Sequence, residues 1–384
     1  MPKLTLNIIG NFPYGDKNAA RLRSIVKGMV DEGWDCKINS LYPTSFDSDS
    51  SNVQFDSWLG CEINQLAFNG SVYQLNPLLR FIQILSGLLA ACYRSFKASK
   101  DDIQYFYNPT LFDSSLALCI SRFRGLVTVV DQTEIYSINQ YKTINKISEF
   151  LSAKYASLIL TISKPIHDHF SSRREEGVVP STIFVDFDRF RISVESENFL
   201  IGYIGSFADK DGVPMIIKGF AGCLKRFPLA RLRLIGNDPF PDKTTKLIHE
   251  LGLTDFVEVV GKVNYNEIPK VLKECDTLVM NRTSSEFAET GYPIKLGEYL
   301  ACNRTVVMSD GPGFSEDYTH LSEVIKYQVD STSDFTKKLI WRYENVEKAS
   351  EIARIGNEYA KRRFDASKEV KVISDNLKSI WNRK

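Results

Sequence analysis

The sequence predicts two α/β domains, each a doubly wound parallel sheet covered by helices. Short apolar runs of strand length alternate with helical patterns, and the alternation starts again after a polar segment at 191–198. The 384 residues exceed one typical core and suit two. We therefore expect a first domain at 1–190 and a second at 199–365, joined by a linker near 190–200.

The composition is that of an ordinary globular protein, with 43% hydrophobic and 25% charged residues. A net charge of +1 predicts no nucleic-acid partner. The seven cysteines are scattered and form no C-x-x-C pair, which favours reduced thiols in a cytoplasm. The opening stretch MPKLTLNIIGNFP begins directly with a strand pattern, so we expect no cleaved leader.

The first domain opens with a β–loop–α–β unit. We expect a buried strand at 4–9, a helix at 19–32 and a second strand at 35–41. The glycine-containing loop between the first two can admit a substrate closely, and Asn18 can cap the helix. The loop also fits a plain connection between strand and helix.

The most apolar stretch of the chain, at 78–93, predicts a helix. It is shorter than a membrane span and is interrupted by Arg80 and Gln83. We expect this helix to be buried. A helix at a membrane surface is the alternative, supported by the basic residues between 94 and 100.

The rest of the first domain continues the alternation, whereas residues 53–76 show no clear pattern. We expect strands at 103–107, 126–130, 156–162 and 181–185, and helices at 116–120, 144–155 and 165–173, the last capped by Ser163. Asp131 and Glu134 follow the strand at 126–130, where carboxylates can orient an acceptor hydroxyl or cap the next helix. His167 and His169 are two residues apart, which does not suit a metal pair on a helix.

The sequence of the second domain predicts three ligand-facing loops at one edge of its sheet, after Gly205, Gly236 and Met280. The residues from Gly205 to Gly212 would offer backbone N–H groups and Lys210 to a diphosphate. We expect strands at 199–205, 230–235, 257–261, 277–280 and 305–309, and helices at 215–227, 242–251, 265–274, 333–343, 349–363 and 366–381.

The stretch NRTSSEFAETGYPIKLGEYLA, at 281–301, predicts a loop followed by a short helix. The helix begins at Pro293 and ends before Asn303. Lys295 and the free N–H groups of its first turn suit a phosphate. Glu298 can accept hydrogen bonds from a ribose. The same residues are also compatible with an ordinary surface helix that carries a Lys/Glu pair.

The chain resembles GT-B-fold glycosyltransferases of family 4, the glycosyltransferase group 1 type, over nearly its whole length. The stretches that carry the resemblance are NFPYGDKNAARLRS, ASLILTISKPIHDHF with VDFDRF, IGYIGSFADKDGVPMIIKGF, VVGKVNYNEIPKVLKECDTLVM and ETGYPIKLGEYLACNRTVVMSD. The resemblance implies two Rossmann-like domains facing a central cleft, with the donor nucleotide on the second. We also expect the helix at 366–384 to return to the first domain.

The resemblance implies roles for single residues. Glu298 matches the second Glu of the family's E-x7-E motif, but the first falls on Thr290, beside Glu289. The family's diphosphate-binding Arg and Lys fall on Ser206 and Asp211, so we expect Lys210 and Lys295 to supply the charge. The family's acceptor-domain His has no clear match, and Asp131 is the nearest candidate.

The function implied is a retaining hexosyltransferase that uses a UDP- or GDP-sugar without a metal or another cofactor. Its acceptor would be a glycan or lipid-linked saccharide of surface polysaccharide biosynthesis, in the cytoplasm, with peripheral membrane contact through 78–100. The alternative is a non-catalytic nucleotide-sugar-binding partner in a glycan-assembly complex, which the changed motif Glu and the missing His favour.

The candidate site residues fall into three groups. The catalytic candidates are Asp131, Glu289 and Lys210. The donor-binding candidates are Gly205, Ser206, Lys210, Gly236, Thr290, Gly291, Tyr292, Pro293, Ile294, Lys295 and Glu298. The acceptor-side candidates are Tyr14, Gly15, Asn18 and Arg21.

Overall fold

A computed structural model of the chain describes residues 3–8, 12, 18–41, 57–67, 75–139, 141–194, 196–311 and 313–383. It divides the chain into two compact units. The first unit holds Met1–Thr182 together with Ala366–Lys384, and the second holds Ile183–Asp365. The chain thus enters the second unit before the predicted boundary at 190, and the predicted linker region lies within that unit.

The first unit is built on one largely parallel sheet. Its strands are β1 Lys3–Ile8, β2 Asp35–Ser40, β3 Ser57–Trp58, β4 Cys61–Gln65, β5 Asp102–Tyr107, β6 Val127–Gln132, β7 Leu158–Thr161 and β8 Val178–Pro180. In the described residues their order is β3-β4-β2-β1-β5-β6-β7-β8, and only the pair β3–β4 is antiparallel. The strands β1, β5 and β6 are almost wholly buried, as expected for the centre of a parallel sheet.

The helices of the first unit connect these strands. They are α1 Asn18–Asp31, α2 Pro77–Lys97, α3 Ser115–Phe123, α4 Tyr136–Asn139, α5 Lys142–Tyr155 and α6 Lys164–Ser171. Asn76 caps α2, since its side chain accepts from Leu79 N at 2.9 Å. Ser163 caps α6 as predicted, accepting from Ile166 N at 3.4 Å. The helices α2, α3 and α5 lie side by side.

The second unit is a wholly parallel sheet in its described residues, with the order β11-β10-β9-β12-β13-β14. Those strands are β9 Glu197–Gly205, β10 Arg231–Gly236, β11 Val257–Gly261, β12 Cys275–Met280, β13 Thr305–Asp310 and β14 Ile325–Gln328. Its helices are α7 Val213–Leu224, α8 Pro241–Glu250, α9 Ile268–Glu274, α10 Glu286–Thr290, α11 Ile294–Ala301, α12 Thr332–Glu344 and α13 Val346–Arg363.

The last helix, α14 Ala366–Asn382, lies with the first unit and packs against α1. Trp34 Nε1 donates to Ser374 Oγ at 2.8 Å. Gly28 of α1 leaves room for Val370, because a Cβ at that glycine would lie 2.7 Å from the Val370 side chain. The contact between α1 and α14 therefore needs a residue without a side chain at position 28.

Three predictions of local structure are wrong. Residues 181–185 do not form a strand, apart from one bridge at Val185, although 182–185 are buried, and the strand of this region is the shorter β8. The predicted loop at 281–291 contains the helix α10, which Ser285 caps by accepting from Ala288 N at 3.3 Å. The helix predicted as buried, α2, exposes most of its bulky apolar side chains.

The helix after this loop begins and ends close to the predicted positions. Pro293 takes the cap position and α11 starts at Ile294. Asn303 has a left-handed φ of 56° and its N–H donates to the Leu300 carbonyl oxygen at 3.1 Å, as expected just beyond a helix end.

Candidate functional site

The carboxyl edge of the second sheet brings two strand ends into close contact. β9 and β10 end side by side at Gly205 and Gly236. A Cβ on Gly236 would lie 1.7 Å from the Gly205 carbonyl oxygen, and Gly236 has a φ of 136°. Only glycine fits this approach without displacing the neighbouring strand.

The loop after β12 joins the same edge. Asn281 Nδ2 donates to the Asp211 carbonyl oxygen at 2.9 Å, and Thr283 N donates to that of Lys210 at 3.0 Å. Tyr327 Oη fixes the Asn281 side chain by donating to its Oδ1 at 2.5 Å. The three loops predicted to meet at one edge are therefore in contact in the structure.

Lys295 reaches this edge from the first turn of α11. Its Nζ lies 2.8 Å from Asp211 Oδ1 and 3.3 Å from Tyr203 Oη, and it sits over the Tyr203 ring, 4.5 Å from the centroid. A Cβ on Gly205 would lie 3.0 Å from this ammonium group. Ser206 Oγ donates to the other oxygen of Asp211 at 3.2 Å. The side chains around Gly205 therefore hold a cation in a fixed place, with 14% of Lys295 exposed.

The charges around Asp211 are predominantly positive. Burial alone would raise the pKa of this carboxyl, but Lys295, Arg282 and Lys210 hold it below its ordinary value. One carboxylate is thus surrounded by three basic side chains, and Arg282 is 8% exposed. Such an excess of partly buried positive charge suits a diphosphate, and Arg282 was missed because no motif marks it.

A hollow of about 510 Å³ lies beside these loops and offers a second place for a small ligand. Asp209, Asp238 and Asp330 line it together with Lys218 and Lys243. This balance of acids and bases does not favour an anion. The cluster around Lys295 is the better candidate for a diphosphate.

Glu298 lies three residues beyond Lys295 and has a different partner. Arg189 Nη1 is 3.7 Å from Glu298 Oε1, and the two side chains are 17% and 16% exposed. The Arg189 guanidinium lies over the Tyr265 ring, 3.5 Å from its centroid. A carboxylate has about four acceptor positions, so Glu298 can also accept from a diol. Sequence reasoning missed Arg189 and Tyr265, although both fall in stretches that carry the resemblance.

The residues from the end of α10 to the start of α11 include one open position. Glu289 is half-buried and Thr290 is 8% exposed. A Cβ on Gly291 would meet no atom within 4 Å, so this backbone is accessible. Pro293 is buried and Ile294 is half-buried.

Tyr292 faces the interior of the second unit and not its surface. It is 7% exposed, and its hydroxyl shares a hydrogen bond with that of Tyr318 at 2.8 Å. Its ring packs edge-on against Phe364, with centroids 6.0 Å apart. The side chain of Tyr292 therefore packs inside the unit, and the donor contact of this residue stays a prediction.

The first unit holds a buried ion pair at the end of β6. Arg21 Nε lies 2.8 Å from Asp131 Oδ2, and Arg21 Nη2 lies 2.9 Å from Oδ1. Tyr105 Oη donates to Oδ2 at 2.6 Å, while Arg21 also donates to Ser181 Oγ and to the Thr182 carbonyl oxygen. Burial and Asp131 raise the pKa of Tyr105 well above its ordinary value.

Asp131 and Arg21 are 0% and 1% exposed, so neither presents a surface to a substrate. Asp131 also lies within β6 and not beyond it. The geometry is at odds with a direct catalytic contact for Asp131 and makes the pair a support beneath this sheet edge. Of the other acceptor-side candidates, Tyr14 and Gly15 lie outside the described residues, as does the side chain of Asn18.

Within the described ranges, no group of three or more His, Cys, Asp or Glu side chains could hold a metal ion. His169 Nε2 lies 3.1 Å from Glu149, and His167 Nδ1 lies 3.3 Å from Thr161 Oγ1. The residues 209–211 form an Asp-x-Asp triplet, a type of metal-binding sequence, although Lys295 contacts the second of these carboxylates. A metal-free donor site therefore stays a prediction.

Two doubly wound units, the second with a basic cluster at the carboxyl edge of its sheet, are the architecture of the GT-B fold. Residues 184–359 match the family described as glycosyl transferases group 1. An uncharacterized glycosyltransferase of Methanocaldococcus jannaschii is 23% identical over 326 residues, 75% of this chain and 77% of that protein. These matches support the resemblance: residues 184–359 are similar to the glycosyl transferases group 1 family, and the chain is similar to a protein described as a glycosyltransferase.

Solved structures with the same fold cover essentially the whole chain. HepE of Anabaena, in complex with UDP, gives a TM-score of 0.75 at 17% identity over 99% of this chain and 100% of its own. Sucrose-phosphate synthase of Thermosynechococcus elongatus gives a TM-score of 0.78 at 12% identity over 100% of both chains. The likeness confirms the predicted GT-B fold with its two Rossmann-like units.

Proposed function

We propose that the chain transfers a hexose from a UDP- or GDP-sugar to a glycan or lipid-linked saccharide, with retention and without a metal. The observation that carries this proposal is the group of Lys295, Arg282 and Lys210 beside the start of α11. The group lies inside the segment that matches the glycosyltransferase family. The complex of HepE with UDP supports a uridine nucleotide as the first ligand to test.

The basic cluster would act on the leaving group. When the bond between sugar and diphosphate breaks, negative charge builds up on the diphosphate. Lys295 and Arg282 are fixed and partly desolvated, so they can stabilise this charge with little reorganisation. The N–H groups at the start of α11 add to the same effect.

The nucleoside would be held by the neighbouring face of α11, three residues beyond Lys295. Glu298 would accept hydrogen bonds from the ribose, as the resemblance implies. The half-buried Glu289 and the open backbone at Gly291 are the nearest groups for the sugar, because Thr290 replaces the first motif Glu.

We assign the acceptor to the first unit, where the buried pair of Arg21 and Asp131 would support the edge on which it binds. The seven free cysteines support a cytoplasmic protein. A role in surface polysaccharide biosynthesis follows from the resemblance and needs an acceptor assay.

A non-catalytic nucleotide-sugar-binding protein is the second candidate. It is favoured by Asp211, which places a carboxylate 2.8 Å from the cation assigned to the diphosphate. This carboxylate would oppose the binding of an anion.

The test is a thermal-shift screen with UDP, GDP, ADP and their sugar conjugates, followed by hydrolysis of the nucleotide sugar that binds. A ligand at about a hundred times its dissociation constant stabilises by roughly 2.7 kcal/mol. We expect one nucleotide to give this shift, and we expect Glu298→Ala to reduce the shift and to abolish turnover. Binding without turnover, with any acceptor tried, would favour the second candidate. No shift with any nucleotide would contradict both.

A further inference from the structure

The helix α2 buries a stripe of small and polar side chains and exposes its bulky apolar ones. The stripe that packs onto the unit consists of Gln83, Gly87, Ala91 and Ser95, at intervals of four residues. The opposite stripe is exposed, with Leu78 at 68%, Phe81 at 62%, Leu89 at 60%, Tyr93 at 63% and Phe96 at 59%. A helix of a soluble unit normally buries its bulky apolar stripe, so this helix lacks a partner on its outer side.

The neighbouring helices extend the same exposed surface. Phe123 of α3 is 77% exposed, and Phe150 of α5 is 56% exposed. Leu116 and Ile147 add aliphatic surface on these two helices, at 44% and 45%. We call the exposed side chains of α2, α3 and α5 the apolar face. Exposed apolar patches of this extent mark interaction sites.

The charge on these three helices is almost entirely positive. Their basic residues are Arg80, Arg94, Lys97, Arg122, Lys142, Lys146 and Lys154. Their one acidic residue, Glu149, is 5% exposed and is bound by Ser137 and His169. The face therefore presents cations around its apolar side chains without an exposed carboxylate.

The cations are interleaved with the exposed aromatic rings. Lys154 lies over the Phe150 ring at 5.7 Å, Lys97 over Tyr93 at 5.9 Å, and Arg124 over Phe96 at 5.6 Å. Aromatic rings next to lysine and arginine are typical of segments that lie at the boundary between lipid headgroups and acyl chains.

A basic pocket lies at one end of the apolar face. It has a volume of about 380 Å³ and is lined by Arg122, Lys154, Arg174 and Arg383, without an acidic residue. Its wall includes Val127, at the start of β6, so it lies at the amino edge of the sheet, away from the Asp131 end. Burial and the nearby Arg122 lower the pKa of Arg174, as expected where positive charges crowd together.

We propose that the apolar face docks on an anionic lipid surface and that the basic pocket receives a lipid phosphate headgroup. The positive charge of the apolar face favours anionic lipids over a second copy of the chain as its partner. A second copy of the chain would bring the same cations against each other in a symmetric interface. Anionic lipids complement them, and the acyl boundary accepts the exposed leucines and aromatics. None of the described helices combines the length and apolar character needed to span a bilayer, so the contact is peripheral.

The test is cosedimentation of the full chain with vesicles of phosphatidylcholine alone or mixed equally with phosphatidylglycerol. We expect binding to the anionic vesicles only, weakened by salt because the cations are exposed. Wild-type protein that stays in solution with anionic vesicles at low salt would overturn the proposal.

Two variants separate the apolar and the charged contributions. Leu89→Ser with Phe96→Ser should lower the partition coefficient by about tenfold or more, since both side chains lose apolar burial. Arg122→Glu with Arg383→Glu should lower it by about 25-fold or more, at about fivefold per cation lost. The controls are Leu229→Ser, an exposed leucine of the second unit, and Lys337→Glu with Lys348→Glu, and neither should change binding.

The melting temperature and the shift caused by UDP are measured on every variant. If a variant keeps the melting temperature and the UDP shift of wild type, its loss of vesicle binding is specific to the apolar face. The lipid proposal does not depend on the assignment of the donor nucleotide. Equal vesicle binding by wild type and both variants would contradict it. So would a dimer in sedimentation velocity that Leu89→Ser with Phe96→Ser converts to a monomer without any effect on vesicles.

Discussion

Asp211 is the residue whose charge matters most for the proposed donor site. The resemblance places a diphosphate-binding lysine at this position, and the cation here comes from Lys295 instead, across 2.8 Å. The carboxylate orients Lys295 and at the same time cancels part of its charge. Which effect dominates can be measured, because an amide keeps the shape and removes the charge.

We expect Asp211→Asn to bind UDP about tenfold more tightly than wild type. A negative charge near a diphosphate costs roughly 1 kcal/mol or more at the effective dielectric of a protein surface. The control is Ser206→Ala, which removes a hydrogen bond to Asp211 and leaves the charge in place. Calorimetry in EDTA and in Mg²⁺ should give the same constants for each protein. Weaker binding by Asp211→Asn would show that the carboxylate is needed to position Lys295, and Mg²⁺-dependent binding lost in this variant would show a metal site.

The pair of Arg21 and Asp131 predicts a large loss of stability when one partner is removed. We expect Asp131→Asn to destabilise the first unit by about 3–5 kcal/mol, because Arg21 is left buried without a carboxylate. Asp35→Asn is the matched control, since the Lys3–Asp35 pair is exposed and should cost less than about 1 kcal/mol. Urea unfolding measures both. A stable Asp131→Asn protein that binds the donor but cannot transfer would mean that Asp131 contacts the substrate.

At the scale of elements, an apolar stretch of sequence does not show which partner an element meets, or whether it meets one. The segment 181–185 contains the buried residues Ile183, Phe184 and Val185, yet it does not pair as a strand. Strand pairing depends on a neighbouring strand, and the burial of a helix face depends on the surface that it packs against. The apolar residues of one segment show neither. In α2 the signal was present: small residues at intervals of four mark the packed side, as Gly87 and Ala91 do.

The loop before α3 contains a carboxyl group that should make the first unit less stable as the pH rises. Asp113 is 1% exposed, and burial raises its pKa from 3.8 to about 6 despite hydrogen bonds from Thr110 and Ser114. The folded protein thus binds this proton more tightly than the unfolded chain. The contribution of Asp113 to the free energy of unfolding is fully present below the pKa of this carboxyl in the unfolded chain. It is lost as the pH rises through the pKa in the folded protein, and the loss is about 3 kcal/mol at most.

Asp113→Asn should lack this titration. The test compares the free energies of unfolding of the two proteins between pH 4 and pH 7. We expect the stability of the variant relative to wild type to increase by about 2–3 kcal/mol as the pH rises. Parallel profiles would mean that Asp113 titrates normally in the folded protein.

At the scale of the whole molecule, the sequence predicted the alternation of elements and the three loops of the second unit. It could not predict the contacts that join distant residues. Asp131 was identified as a candidate, and its burial under Arg21 depends on two segments 110 residues apart. The sequence marks both Lys295 and Asp211, but their ion pair forms only because α11 and the loop after β9 meet at one sheet edge.

The path of the chain predicts that the last helix stabilises the first unit and not the second. The chain leaves the first unit after Thr182 and returns to it at Ala366, and α14 closes on α1 at Gly28. Gly28→Val should destabilise the first unit by about 1–3 kcal/mol, because the added atoms meet Val370 at 2.7 Å. Gly311→Ala is the control, since its Cβ would meet only Phe314 at 4.0 Å.

Limited proteolysis with mass spectrometry can locate the effect of Gly28→Val. We expect early cleavage after residue 365 in this variant and not in wild type or Gly311→Ala, because a displaced helix exposes its backbone to the protease. The thermal shift caused by UDP should stay as in wild type, since the proposed donor site lies within the second unit. If Gly28→Val loses the UDP response while the C-terminal helix stays protected, the helix would act on the donor site and its assignment to the stability of the first unit would be wrong.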